Sequence, residues 1–188
     1  AWATYTTKEI TATNTDALDL STSNFEFIVI DGDSNDGSKN IISSYNDRID
    51  CCIIEPDHGI YNAMNKGLRY ATGDVIAFLN ADDFYYNNKV IEDVNSYFTK
   101  DIKIVYGNIK YYNNKKNKPS RRFFTPGEYK KNMYLQGWHA PHPAFFCHKS
   151  CFEKYGSFNE NLEVSSDFET VKLLTNFIEL SYAPIFNK

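Results

Sequence analysis

The sequence predicts an α/β fold built on a mostly parallel central sheet, with helices on both faces and an α+β portion in its second half. Three observations carry this. Short runs of apolar, β-branched and aromatic residues recur at 25–30, 51–54, 75–79 and 102–106. Between them lie segments with helical periodicity or helix-start chemistry, the alternation that gives right-handed crossovers and parallel strands. Acidic loops close two of the runs, Asp31 after the first and Asp82 with Asp83 after the third. In such sheets ligands gather at the carboxyl ends of the strands.

Taken in order, residues 1–5 read as the tail of a first strand. Residues 6–24 are rich in Thr and Asn, poor helix formers, and are expected to be irregular. FEFIVI at 25–30 is a buried strand, and the Gly/Ser/Asn/Asp loop behind it ends where Ser38 can cap a helix. CCII at 51–54 is a second strand, closed by Glu55-Pro56. From residue 60 the apolar positions 60, 63, 64, 68 and 71 follow the spacing of an amphipathic helix, which Gly73-Asp74 stops. VIAFL at 75–79 is a third buried strand, 89–98 a helix, and 102–106 a fourth strand. Beyond it, strands at 110–112 and 122–124 flank a basic loop, another strand covers 145–148, and residues 168–174 lie in a helix. This second half is expected to pack on the same sheet, making one domain of residues 1–188.

Hydrophobic residues at 42% and charged residues at 23% place the chain among globular proteins rather than disordered ones. The 14 Tyr and 14 Phe fit flat rings lining a groove, or simply a codon-biased genome. A net charge of −4 argues against nucleic acid as the partner. The stretch 113–122 is the local exception, with Lys115, Lys116, Lys118, Arg121, Arg122 and no acid. It is either a solvated hairpin tip or a surface for anionic lipid headgroups or a phosphorylated acceptor. Cys51, Cys52, Cys147 and Cys151 form no CxxC pair, so neither a zinc site nor a disulfide framework is expected, and a cytoplasmic location is. No signal peptide is evident and no apolar run nears the roughly 18 residues of a membrane span, so membrane contact would be peripheral, on the inner face.

The chemistry concentrates in a few places. Two adjacent carboxylates, Asp82 and Asp83, repel at a strand end, and a hard divalent cation, Mn²⁺ or Mg²⁺, is the natural relief. The alternative is an exposed pair capping the next helix. The loop DGDSNDGS at 31–38 brings a second acidic edge toward the same cleft, its glycines permitting a tight turn. Asp167 in SSDFE reads either as a functional carboxylate or as a helix N-cap.

Three blocks in this order, FIVIDGDSNDGS, EPDHGIYNAMNKGLRYATGDVIAFLNADD and HPAFFCHKSCFEKYGSFNENLEVSSDFE, make the chain resemble the family 2 glycosyltransferases of the Rossmann-like GT-A fold. The likeness is to the bacterial branch that builds surface polysaccharides, and it runs from about residue 5 to 183. It implies a nucleotide-sugar-binding half over about 1–106 and an acceptor and catalytic-base half over about 107–188. By this resemblance Asp31 holds the base and ribose, Thr4 and Tyr5 end the first strand beside the base, and Asp57 and Asn65 flank the nucleotide. Asp82 and Asp83 match the DxD-type motif, Asp83 as metal ligand and Asp82 toward ribose or donor sugar. Asp167 matches the catalytic base. His139 and His142, in the run WHAPHPAFF, read either as contacts to acceptor or diphosphate or as structural residues of an aromatic-rich segment. Gly32 departs from the pattern, standing where a second Asp is common. The first strand looks truncated and the chain ends soon after residue 183, so truncation at both ends is expected.

The implied reaction is inverting transfer from a nucleoside-diphosphate sugar, with UDP as nucleotide, to a hydroxyl of a glycan or lipid-linked acceptor. Two other readings compete. A non-catalytic nucleotide-sugar-binding domain of the same fold would lack turnover. A haloacid-dehalogenase-like phosphatase would use Asp31 and Asp33 as its nucleophile loop, but Asn35 stands where that motif has Thr or Val.

Overall fold

The computed structural model describes residues 2–7, 25–81, 83–87, 89–113, 118–175, 178 and 180–184. The elements run β1 (Trp2–Thr7), β2 (Phe25–Asp31), α1 (Ser38–Ser44), β3 (Cys51–Ile54), α2 (Ile60–Tyr70), β4 (Val75–Asn80), α3 (Val90–Asn95), β5 (Ile104–Gly107), β6 (Ile109–Asn113), β7 (Lys118–Phe124), β8 (Phe145–His148), α4 (Lys149–Tyr155), α5 (Ser166–Thr175) and β9 (Leu180–Ala183). Among the described residues, seven strands form one sheet in the order β3-β2-β1-β4-β8-β5-β9, and β6 pairs with β7 in a separate hairpin.

The pairings are mixed where the sequence suggested a largely parallel sheet. β2 with β3 and β5 with β9 are parallel, whereas β1 and β8 run against both of their neighbours. The other strands share one direction, so their carboxyl ends still lie along one edge. For β8 the reason is connectivity. Among the described residues no α-helix crosses back between β5 and β8; the chain passes through the β6–β7 hairpin and residues 125–144 and re-enters from the edge it left. A strand entering from that edge can only pair antiparallel.

Strand alternation sorts the core into two layers. Ile28 and Ile30 of β2, Ile76 and Phe78 of β4, Ile104 and Tyr106 of β5 and Phe145 and Cys147 of β8 pack with Tyr61, Ala63, Met64 and Leu68 of α2, Cys151 and Phe152 of α4, and Val171 and Leu174 of α5. The intervening Ala77, Val105 and Phe146 face the other way, against Val90 and Val94 of α3. Helices therefore cover both faces. Burying each large side chain here contributes about 1.5–3 kcal/mol.

The returning segment is pinned through Tyr106, whose hydroxyl donates to the Gly127 carbonyl at 2.9 Å and accepts from the Tyr129 N–H at 2.8 Å. Burial pushes this phenol up to about 12. Trp138 packs edge-on against Tyr106 and donates from its indole to the Pro126 carbonyl at 2.9 Å. No described helix is long and apolar enough to cross a membrane.

Candidate active site

Asp31 ends β2 fully buried. Its two carboxylate oxygens accept from the Ser34 N–H at 2.8 Å and the Ser34 hydroxyl at 2.9 Å, which closes the 31–34 turn. The next residues are exposed, and Asp33 takes a left-handed backbone (φ 65°) while pairing with Lys39. Asp31, expected to hold base and ribose, is thus a buried carboxylate that shapes the 31–34 turn through Ser34.

Asp57 lies against this loop. The Glu55 N–H donates to the Asp31 carbonyl at 3.1 Å, joining the segment after β3 to the turn after β2. A Cβ on Gly32 would stand 2.4 Å from the Asp57 Oδ2, so the absence of a side chain at 32 is what lets the Asp57 carboxylate sit there. Its Oδ1 accepts from the Gly59 N–H at 3.0 Å. Two carboxylate-bearing loops are thus brought together, with Asp57 half-buried at the surface they share.

The turn after β4 faces the same edge, two strand spacings, or about 10 Å, from Asp31. Asp83 donates its N–H to the Asn80 carbonyl at 3.0 Å and accepts from the Asn80 Nδ2 at 2.9 Å. The Asn80 Oδ1 is buried and has no hydrogen-bond partner among the described residues. Asp82 lies outside the described residues, and among the described residues no group of three or more His, Cys, Asp or Glu side chains gathers around a point. The donors present, one carboxylate and one orphaned amide oxygen, fit a hard cation that takes its remaining ligands from phosphate oxygens and water.

Thr4 and Tyr5 are not at the strand end. β1 runs opposite to β2 and β4, so Thr4 pairs with Ile28 and Phe78, and Tyr5 with Phe27 and Ala77. The β1 residue level with the acidic edge is Trp2, opposite Ile30 and Asn80. Reversal of a strand exchanges its two ends, which sequence pattern alone cannot reveal.

Asp167 is not the cap of α5. The helix begins at Ser166, after Ser165 in a left-handed conformation (φ 69°), and Asp167 falls in its first turn. Its carboxylate accepts from the Tyr61 hydroxyl at 3.1 Å, across to the first turn of α2. Burial and the Asp167 charge raise the Tyr61 phenol, while the N–H groups of Ser166 and Asp167 pull it down. Tyr61 stacks on Phe158 at 6.0 Å, and Phe158 meets Phe78 edge-on at 5.2 Å. His142 stacks on Phe78 at 5.7 Å, and its Nε2 is buried without a partner among the described residues. Burial lowers its pKa and the Asp167 charge opposes this, so His142 shares the Asp167 field. His139 goes elsewhere, exposed and stacked on Phe124 at 5.0 Å.

Asn65 was expected to flank the nucleotide. It is buried in α2, and its amide donates to the Phe158 carbonyl at 2.9 Å and the Glu160 carboxylate at 2.7 Å, while its Oδ1 accepts from the Phe158 N–H at 3.0 Å. These bonds tie the side chain to the loop leading toward α5. Glu160 also accepts from Asn62 at 2.7 Å, and these two amides lower its pKa.

Tyr61, Lys66 and Glu160 escaped the sequence reading. Lys66 is buried along its stem, with its ammonium 2.9 Å from both Glu55 and the Pro56 carbonyl. The available signal was α2 itself: residues 61, 65, 66 and 67 are buried besides the apolar stripe, because loops from both sides close over the helix.

The sequence profile described as glycosyl transferase family 2 matches residues 4–156. A relative from Escherichia coli, the UDP-Glc:alpha-D-GlcNAc-diphosphoundecaprenol beta-1,3-glucosyltransferase WfgD, is 31% identical over 128 residues, covering 68% of this chain and 50% of its own. The chain thus spans about half the length of that relative. Staphylococcus aureus TarS (residues 1–349, with UDP) superposes with a TM-score of 0.62 at 18% identity, over 86% of this chain and 48% of TarS. The mannosyltransferase PcManGT of Pyrobaculum calidifontis, solved with GDP-Man and Mn²⁺, gives 0.60 at 16%, over 84% and 45%. These structures share the GT-A fold, and with the acidic loops standing at the carboxyl edge of its sheet, the chain belongs to glycosyl transferase family 2.

Proposed function

We propose that this chain transfers a sugar, with inversion, from a nucleoside-diphosphate sugar to a hydroxyl of a glycan or lipid-linked acceptor in bacterial surface-polysaccharide synthesis, at the cytoplasmic face of the membrane. The observation that carries the reading is Asp167, held by Tyr61 at the end of the sheet where the acidic loops open, and not used as a helix cap. The profile match ends at residue 156, so Asp167 stands on this geometry and on the motif around it.

In this reading Asp57 and the loop 32–34 receive the nucleotide, and Asp31 keeps that loop in shape through Ser34. Asp167 accepts the proton of the acceptor hydroxyl as its oxygen bonds to the anomeric carbon; the bond to the diphosphate oxygen breaks, and the electron pair leaves with the nucleotide. Tyr61 fixes the carboxylate's orientation. General-base help of this kind is worth about 10² to 10⁴ in rate. Asp83, with the Asn80 Oδ1 and the neighbouring Asp82, would hold Mn²⁺ or Mg²⁺, which supplies charge neutralisation for the departing diphosphate. UDP is the proposed nucleotide: WfgD is named for a UDP-glucose donor, and TarS was solved with UDP.

The test is calorimetry of UDP with Mn²⁺ or EDTA, beside nucleotide release from UDP-sugars with a short-chain N-acetylglucosaminyl-diphospho-polyprenol. Asp83→Asn should abolish the enhancement of UDP binding by Mn²⁺. Asp167→Asn should bind UDP like the parent and lose about 10² to 10⁴ in rate. Parental turnover by Asp167→Asn would sink the base assignment, and Mn²⁺–UDP binding unchanged in Asp83→Asn would sink the metal assignment.

A further inference from the structure

Lys66 is a buried cation whose bonds end on the segment that carries Asp57. It lies in the second turn of α2 with 7% of its side chain exposed, and a lysine is seldom buried so far. Its ammonium is 2.9 Å from the Glu55 Oε1 and donates to the Pro56 carbonyl at 2.9 Å. The stem is buried in the fold and the charged head meets the loop.

Packing alone does not account for a lysine here. Drawing an ammonium out of water is costly, and an apolar side chain of similar length would fill the same space without that cost. The Glu55 carboxylate is a weak reason too, because its side chain is 54% exposed and ion pairs in contact with water contribute little. The Pro56 carbonyl remains. It belongs to the same planar peptide unit as the Asp57 N–H. The proline ring fixes φ at residue 56, and the hydrogen bond from Lys66 fixes the tilt of the peptide plane that follows. Together they set the direction in which the chain enters Asp57. The segment is held on both sides of that plane: the Glu55 N–H donates to the Asp31 carbonyl at 3.1 Å, and the Asp57 Oδ1 accepts from the Gly59 N–H at 3.0 Å.

We infer that Lys66 is a positioning residue for donor binding: by holding the Pro56 carbonyl, and with it the peptide plane before Asp57, it aims the Asp57 carboxylate at the nucleotide. The inference rests on the reading that Asp57 receives the nucleotide. It adds that the affinity contributed by Asp57 depends on a lysine in the helix behind it, which itself touches no ligand.

The experiment is a double-mutant cycle read by UDP calorimetry on folded protein, well below the melting temperature of each variant. Asp57→Ala should weaken UDP binding about tenfold, the worth of one hydrogen bond to a charged group. Lys66→Met keeps the buried stem, removes the donor and leaves the Glu55 carboxylate in water. It should weaken binding about fivefold, since an effect passing through Asp57 cannot exceed the loss of Asp57. The double variant should stay about tenfold weaker than the parent, where independent effects would multiply to about fiftyfold. Lys66→Gln, shorter and neutral, should show the same pattern and serves if the Met variant does not fold. A purely structural lysine would lower the melting temperature and leave the UDP affinity of the folded protein unchanged. Parental UDP affinity in the Lys66 variants, beside a weakened Asp57→Ala, would therefore overturn the inference and leave the nucleotide reading standing. A double variant about fiftyfold weaker would also overturn it, assigning Lys66 to the nucleotide directly. Parental affinity in Asp57→Ala, or no UDP binding by the parent, would overturn the reading of Asp57 and this inference with it.

Discussion

Replacing Asn65 with Ala removes three hydrogen bonds at once and decides what this side chain does. Two of them end on the Phe158 main chain in a buried setting, at 2.9 Å and 3.0 Å, and the third on the Glu160 carboxylate at 2.7 Å. Each buried main-chain group left without a partner costs about 1–3 kcal/mol, so the pair amounts to about 2–6 kcal/mol. In a domain of this size each kcal/mol moves the melting temperature by about 2–4 °C, giving a fall of about 4–24 °C. Asn65→Asp should do little better, since it loses both donors and sets a second carboxylate before Glu160. Glu160→Gln, at an exposed position, should move the melt far less. Thermal unfolding reads the stability, and UDP calorimetry well below the lowered melting temperature reads the site; UDP affinity should stay within about threefold of the parent, because no bond to nucleotide is being broken. A variant that melts like the parent but no longer binds UDP would refute the reasoning and return Asn65 to the nucleotide.

Gly32→Ala places a methyl group 2.4 Å from the Asp57 Oδ2, on a backbone outside the left-handed region, so any effect comes from the displaced carboxylate. UDP affinity should fall about fivefold or more with little change in melting, as expected for about 1 kcal/mol of one lost hydrogen bond, and unchanged affinity would separate Asp57 from the nucleotide. Burial lowers the pKa of His142, so the folded protein keeps the neutral ring after the unfolded chain has begun to protonate. Stability should fall as pH drops below about 6.5, the ordinary histidine value, and go on falling to the lowered folded value. His142→Gln should flatten that slope in urea titrations at about pH 7.5 and about pH 5.5, and parallel slopes for parent and variant would show that the ring is not buried neutral.

The local elements were legible because their signals are local. Period and composition marked the strands beginning at Phe25, Cys51 and Val75 and the helix beginning at Ile60, since each buries one face or lies wholly inside. Gly37 and Gly59, both at positive φ, stand where the loops were expected to turn into helices. The short α4 and the edge strand β9 were not legible: LSYA lacks the unbroken apolar run that marked CCII at 51–54, and α4 buries only Cys151 and Phe152.

By itself the sequence determined the α/β class, the acidic residues at the strand ends and the family-like order of its motifs. Only the tertiary structure decided what those residues face. The direction of β1 moved Thr4 and Tyr5 away from the edge, the fold buried Asp31 where it shapes the 31–34 turn, and the packing of α2 under the 158–160 loop gave Asn65 its partners. It also paired Tyr61 with Asp167, 106 positions apart. A residue's type and spacing set what bonds it is able to make, but the choice of partner depends on which groups the folded chain brings within 3 Å, and that distance is a property of the packing, not of the sequence neighbourhood.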